Sequence, residues 1–196
     1  MQTKPIWTTL AQWISALGHP LLTLPACALT LLFRYESTAR AGWLSLWLVG
    51  GLFVPLAVVM YRKQAKGTYT NFDVSDREQR QGWYWLVLGL LGGVTLVTYL
   101  TGQTYLLRLI LLLATSLLVA AQLLNRFIKS SLHVSLNTYL AFLLLLFTPT
   151  IGGLLFLFVP IIGWSRWQLA RHTIGELLMG GILGLLFGSL LLFVAQ

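Results

Sequence analysis

Seven apolar blocks, at 7–33, 42–61, 82–100, 104–124, 132–147, 151–164 and 173–194, fill most of this 196-residue chain. Short polar stretches part them. A hydrocarbon layer about 30 Å thick is crossed by about 20 helical residues, so blocks of this length read as membrane spans. Composition leaves little else. Only 9% of the residues are charged and 57% are hydrophobic, whereas a soluble domain carries about 25% charged residues. We therefore expect an all-α fold: a polytopic transmembrane helix bundle with about six to seven membrane segments, forming a single integral membrane domain over 1–196.

Local signals refine this plan. Pro20 and Pro25 fall inside the first block and are expected to kink it. That block follows no basic region and precedes no small-residue cleavage site, so it is expected to stay as a span. Thr101-Gly102-Gln103 and Thr148-Pro149-Thr150 read as turns. The fifth and sixth blocks fall short of a full crossing. They resemble a hairpin that starts in the membrane interface, or one screened by neighbouring helices. Gly92, Gly93, Gly152, Gly153, Gly180, Gly181, Gly184 and Gly188 suit close helix packing in lipid. Cys27 is the only cysteine, so no intramolecular disulfide forms.

The net charge is +8, from thirteen Lys and Arg against five Asp and Glu. In a soluble chain this would suggest nucleic acid. Here the basic residues sit mostly between apolar blocks, so the expected partners are the lipid bilayer and a phosphate-bearing lipid, not nucleic acid. Three polar stretches, 62–81, 125–131 and 165–172, are each separated by two blocks. If every block crosses, all three emerge at one face. Ionisable residues gathered at one depth of a bundle mark a functional site by default.

The richest stretch runs from Ser165-Arg166 to His172 and Glu176. His172 and Glu176 are four apart and share a helix face. A carboxylate there can accept a hydrogen bond from one imidazole nitrogen and leave the other to attack or move a proton. Arg166 supplies a forked cation suited to phosphate, and Ser165 a hydroxyl. Alone, His172 would read as an interfacial residue and Arg166 as a charged anchor. A second stretch, Lys129-Ser130-Ser131-Leu132-His133, places Ser131 and His133 at the same face. In the third, Arg77 and Arg80 are three apart and could clamp one anion or form a solvated positive face. Asp73, Asp76 and Glu78 could hold them by ion pairing.

The order of these stretches resembles the phosphatidic acid phosphatase type 2 (PAP2) superfamily, which includes the vanadium haloperoxidases. Its third motif is Ser-Arg, five residues, His, three residues, Asp. This chain has Ser165-Arg166, His172 and, in the Asp place, Glu176. Of the second motif, Pro-Ser-Gly-His, it keeps Ser131 and His133. Of the first, Lys, six residues, Arg-Pro, it keeps Arg80, with Asp73 seven residues before it and Gln81 after it. The likeness covers roughly 63–196. It implies a PAP2/haloperoxidase-like core and a lipid-phosphate phosphatase with no metal or other cofactor. His172 would form a phosphohistidine, Glu176 would orient it, and His133 would protonate the leaving alcohol and then activate water. Arg166, Arg77, Arg80 and Ser131 would bind phosphoryl oxygens, with Lys129 a lesser ligand and Ser165, Asp73 and Asp76 in support. The substrate is open among phosphatidate, phosphatidylglycerophosphate and polyprenyl mono- or diphosphates.

Two other functions compete. An intramembrane prenyltransferase holds a diphosphate through magnesium on two acidic clusters. Asp73 and Asp76 offer one, but the carboxylates are only Glu36, Asp73, Asp76, Glu78 and Glu176. A catalytically inactive relative that binds or transports lipid would explain the departures in the first two motifs. The expected location is a bacterial inner (plasma) membrane. Ten basic residues fall at the site face and three at the other. With the proposed ligands Arg77, Arg80 and Arg166 set aside, seven against three favours a cytoplasmic site face by the positive-inside rule. The family likeness favours the exterior.

Overall fold

In the computed structural model, residues 6–68 and 77–195 are described, the side chains of 77–80 excepted. The described chain is helical throughout and contains no strand. In order it forms α1 (Ile6–Leu17), α2 (Pro20–Tyr35), α3 (Thr38–Ser45), a π-helical stretch (Leu46–Phe53), α4 (Val54–Ala65), α5 (Arg77–Leu100), α6 (Tyr105–Leu124), α7 (Leu132–Phe147), α8 (Pro149–Gln168) and α9 (Ile174–Ala195). Five helices are long and apolar enough to cross a membrane, the continuous run Thr38–Ala65 counting as one. The broken pair α1–α2 raises this to six, and α7 is the shorter seventh apolar segment. The chain is an integral membrane protein.

The first block is bent by 43° at a break over Gly18–His19, immediately before Pro20, so the expected kink lies there. Pro20 becomes the first residue of α2, where its fixed φ suits a helix start and its missing N–H costs nothing. Pro25 lies inside α2 without ending it. The sixth block is not short. Pro149 starts α8 by the same N1 preference, and the polar residues Ser165 to Gln168 extend it to 20 residues. The fifth block keeps its expected bounds. At 16 residues it is roughly 24 Å long, short of the hydrocarbon thickness. Of its residues, 12 are buried, so it is screened by neighbouring helices.

The chain divides into two compact units. One comprises Leu24–Arg126. In it α5 and α6 form a hairpin whose turn is closed by Gly102 at φ 61°. The Thr104 hydroxyl caps α6 by accepting the Leu107 N–H at 3.4 Å. Midway along, the Thr95 and Thr115 hydroxyls meet at 2.9 Å.

The other unit is discontinuous, joining Met1–Thr23 to Phe127–Gln196. In it α7 is central, packed by α8 and α9, and α1 lies against α8. Close approach of α9 depends on small residues one turn apart. A Cβ on Gly180 would lie 2.5 Å from the Ser131 carbonyl oxygen, and one on Gly184 2.5 Å from Thr138 Cβ. On Gly188 it would lie 2.5 Å from the Phe142 ring. In lipid, such stripes replace the hydrophobic drive that water supplies elsewhere. Gly152 does the same where α8 meets the Leu145 backbone. Gly92, Gly93 and Gly153 have open space around them, so close packing explains only part of the glycine content.

Candidate functional site

Ser131 is the N-cap of α7, in extended conformation (φ −81°, ψ 109°). Its N–H donates to the Glu176 carbonyl at 3.1 Å, tying the start of α7 to the first turn of α9. Gly180 permits this approach. At that first turn the Thr173 hydroxyl accepts the Glu176 N–H at 3.3 Å, and Glu176 Oε2 accepts the Thr173 N–H at 3.1 Å. This is a reciprocal capping box, which satisfies donors that a helix start leaves open. The same Oε2 lies 2.9 Å from His172 Nδ1.

A carboxylate can only accept, so this contact places a hydrogen on Nδ1 and, in the neutral ring, leaves Nε2 as the lone-pair nitrogen. The His172 side chain is only 4% exposed and that of Glu176 18%, so little water competes with their hydrogen bond. Glu176 therefore serves the helix start and the histidine with one oxygen. The extra methylene of Glu over Asp suits this, since a capping box needs a side chain long enough to reach back.

Arg166 sits in the last turn of α8, one tight turn before His172. That turn is a Schellman motif: the Arg171 N–H reaches the Arg166 carbonyl at 3.0 Å and the Ala170 N–H the Trp167 carbonyl at 2.9 Å. Ala170 takes the left-handed position at φ 52°, where glycine is usual. Lys129 Nζ donates to the Arg171 carbonyl at 3.1 Å and fastens the turn to the chain entering α7.

The Arg166 guanidinium is almost wholly buried, and its Nη1 donates to Ser15 Oγ on α1 at 2.6 Å. Ser165 is also buried, but its hydroxyl donates to the Ile162 carbonyl at 2.7 Å, so it serves its own helix. Ser130 and Ser131 are fully buried, and among the described residues neither hydroxyl has a hydrogen-bond partner. Buried hydroxyls are normally satisfied, which sets these two apart. His133 is buried on α7. Its carbonyl accepts from Asn137 Nδ2 at 2.7 Å, and its ring meets that of His19, centroids 4.8 Å apart.

The discontinuous unit thus holds His172, Glu176, Arg166, Ser165, Ser131, Lys129 and His133. Direct hydrogen bonds link His172 to Glu176, Glu176 to Ser131, and Lys129 and Arg166 to Arg171. Arg77 and Arg80 lie in the first turns of α5 in the other unit, and their side chains are outside the described residues. Asp73 and Asp76 lie outside them altogether. Sequence reasoning missed Ser15, His19, Asn137 and the part of Ser130. A signal was available: Ser15 and His19, like His133 and Asn137, are polar pairs four apart inside apolar blocks. Among the described residues, no group of three or more His, Cys, Asp or Glu is placed to hold a metal ion. Comparison with family models, curated proteins and solved structures returns no match.

Proposed function

We propose that this chain is a lipid-phosphate phosphatase of the PAP2 type, acting through a phosphohistidine. The observation that carries the reading is the His172–Glu176 pair, with His172 buried and its Nδ1 bound to the carboxylate at 2.9 Å, the arrangement in which Nε2 would be the attacking atom. Nε2 would attack phosphorus as the bond to the lipid oxygen breaks, and His133 would give that oxygen its proton. Water would then attack the phosphohistidine and lose a proton to His133. The N–P electron pair would return to Nε2 and phosphate would leave. The imidazolium character that develops on His172 is spread by its hydrogen bond to the Glu176 carboxylate. A phosphoryl transition state is stabilised chiefly by fixed positive charge and donors. Arg166 and the hydroxyl of Ser131 supply these from within one unit, and Ser130 adds a second hydroxyl. A histidine near neutral pH can act first as acid and then as base.

The second reading, a catalytically inactive lipid-binding relative, draws on two other observations. Glu176 caps a helix, and the Ser165 hydroxyl is used by the backbone. Purified protein in mixed micelles, given phosphatidate, phosphatidylglycerophosphate, polyprenyl phosphate and polyprenyl diphosphate in chelator, should release phosphate from at least one. Binding without release would favour the second reading. Activity restored only by magnesium would favour diphosphate chemistry of the prenyltransferase kind.

A further inference from the structure

The chain has three histidines, and the proposed reaction uses two. The third, His19, stands at the break between α1 and α2. Its Nδ1 accepts the Leu21 N–H at 3.1 Å, so the ring caps the start of α2. Pro20 has no N–H to offer, which makes Leu21 the first donor in need of a partner. The break is held from α7. Asn137 Nδ2 donates to the Gly18 carbonyl at 2.8 Å and to the His133 carbonyl at 2.7 Å. One buried amide therefore clamps the residue before His19 to the turn that carries His133. Gly18 also meets α8 closely, since a Cβ there would lie 2.8 Å from the Ile162 side chain.

Within this clamp the two imidazoles pack edge to face, with an interplanar angle of 87°. Aromatic rings favour that arrangement over a face-to-face stack at such distances. Asn, Asp or Ser would cap α2 at least as well as His. None of them would present a flat ring to His133. A capping histidine is therefore explained by its neighbour, not by the helix start alone.

We propose that His19 is a positioning residue that walls the His133 ring into one rotamer, so that its acid–base nitrogen stays aimed at the reacting phosphate. The catalytic part rests on the phosphatase reading above; the ring geometry does not. Three variants separate the two duties of His19. His19→Phe keeps a ring and loses the cap. His19→Asn keeps the cap and loses the ring. His19→Ala loses both.

Aiming is lost only when the ring is lost, and a misplaced group costs up to about 100-fold, so His19→Asn should lower kcat by about 10-fold or more with KM within about 2-fold. His19→Phe should retain kcat within about 3-fold, because the wall remains. In ¹⁵N-histidine-labelled protein in nanodiscs, the His133 ring signal should be sharp in wild type and His19→Phe. It should broaden in His19→Asn and His19→Ala. A wild-type kcat and a sharp His133 signal in His19→Asn would overturn the proposal and leave His19 as a helix cap. If wild type releases no phosphate from any lipid, the phosphatase reading fails. The ring signals then decide the positioning claim alone, broadening in His19→Asn upholding it and an unchanged signal overturning it.

Discussion

Each unit carries a carboxylate paired with a cationic or protonatable side chain four residues away, and the two pairs differ in nearly everything else. In the Leu24–Arg126 unit, Glu36 meets Arg40 at 3.1 Å, with side chains 26% and 43% exposed. In the discontinuous unit, His172 meets Glu176 at 2.9 Å, with side chains 4% and 18% exposed. Sequence spacing alone cannot rank them. Surroundings do, because water screens the first pair and leaves it worth well under about 1 kcal/mol.

The contrast extends to whole interiors. Of the buried polar residues among those described, ten belong to the discontinuous unit and four to the other. The four are Thr95, Thr98, Gln122 and Asn125, none ionisable. The ten include Arg166, His133 and His172. Ionisable groups inside a membrane protein are costly and mark function, and among the described residues they gather in the discontinuous unit, which is where the proposed chemistry is centred.

The sharpest way to break that division is to remove the proposed nucleophile. His172→Ala should lower phosphate release by at least roughly 10³-fold, the scale on which loss of an attacking group acts. His133→Ala should cost roughly 10²–10⁴-fold. Both proteins should elute as folded material in detergent, and near-normal turnover by either would put the chemistry elsewhere.

The two carboxylates give the next test. Gln can keep the capping box, so Glu176→Gln should hold its Tm while turnover falls roughly 10-fold or more with little change in KM. Glu176→Ala should lose about 1 kcal/mol of stability in addition. Glu36→Gln should change turnover by less than about 2-fold and stability by less than about 0.5 kcal/mol. Equal effects at Glu36 and Glu176, read by initial rates and thermal melts, would erase the distinction.

Glycines sharpen it further. Gly184→Ala forces a methyl against Thr138 and the Ser135 carbonyl and should cost about 1–3 kcal/mol, as overpacking does. Gly92→Ala meets nothing within 4 Å and should gain up to about 1 kcal/mol from helix propensity. Detergent-unfolding midpoints of the two variants check this pair. The smallest effect is expected at the turn between Arg166 and His172. Ala170→Gly relieves a left-handed alanine and should stabilise by about 0.5–1 kcal/mol, with turnover within about 2-fold of wild type. A drop in melting temperature would mean that the turn needs more than its dihedral angle.

Much of the helix plan was legible because apolar length is a local property. The bounds of α7 and the turn at Thr101-Gly102 follow from the sequence directly. The expected bend of the first block is present at Pro20, whereas Pro25 does not break α2 and Pro149 begins α8 within the stretch expected to be a turn. The His172–Glu176 contact was legible from spacing. The double duty of Glu176 was legible in principle, since Thr173-x-x-Glu176 spells a capping box, but catalytic spacing drew the reading instead. Ser15, His19 and Asn137 were hidden for a different reason. Their partners are 151, 114 and 119 positions away, and no local pattern encodes a contact at that range.

Those long intervals have a consequence for the order of events in the cell. Ser15 leaves the ribosome 151 residues ahead of Arg166. At synthesis rates of about 5–20 residues per second, the first helix waits roughly eight to thirty seconds for its partner. Through that time Ser15 is a polar group in a span whose partner does not yet exist, while His19 already has the Leu21 N–H two residues on. Ser15 must therefore be tolerated by the insertion machinery before Arg166 is made, and the contact that joins α1 to α8 forms only when the last quarter of the chain arrives.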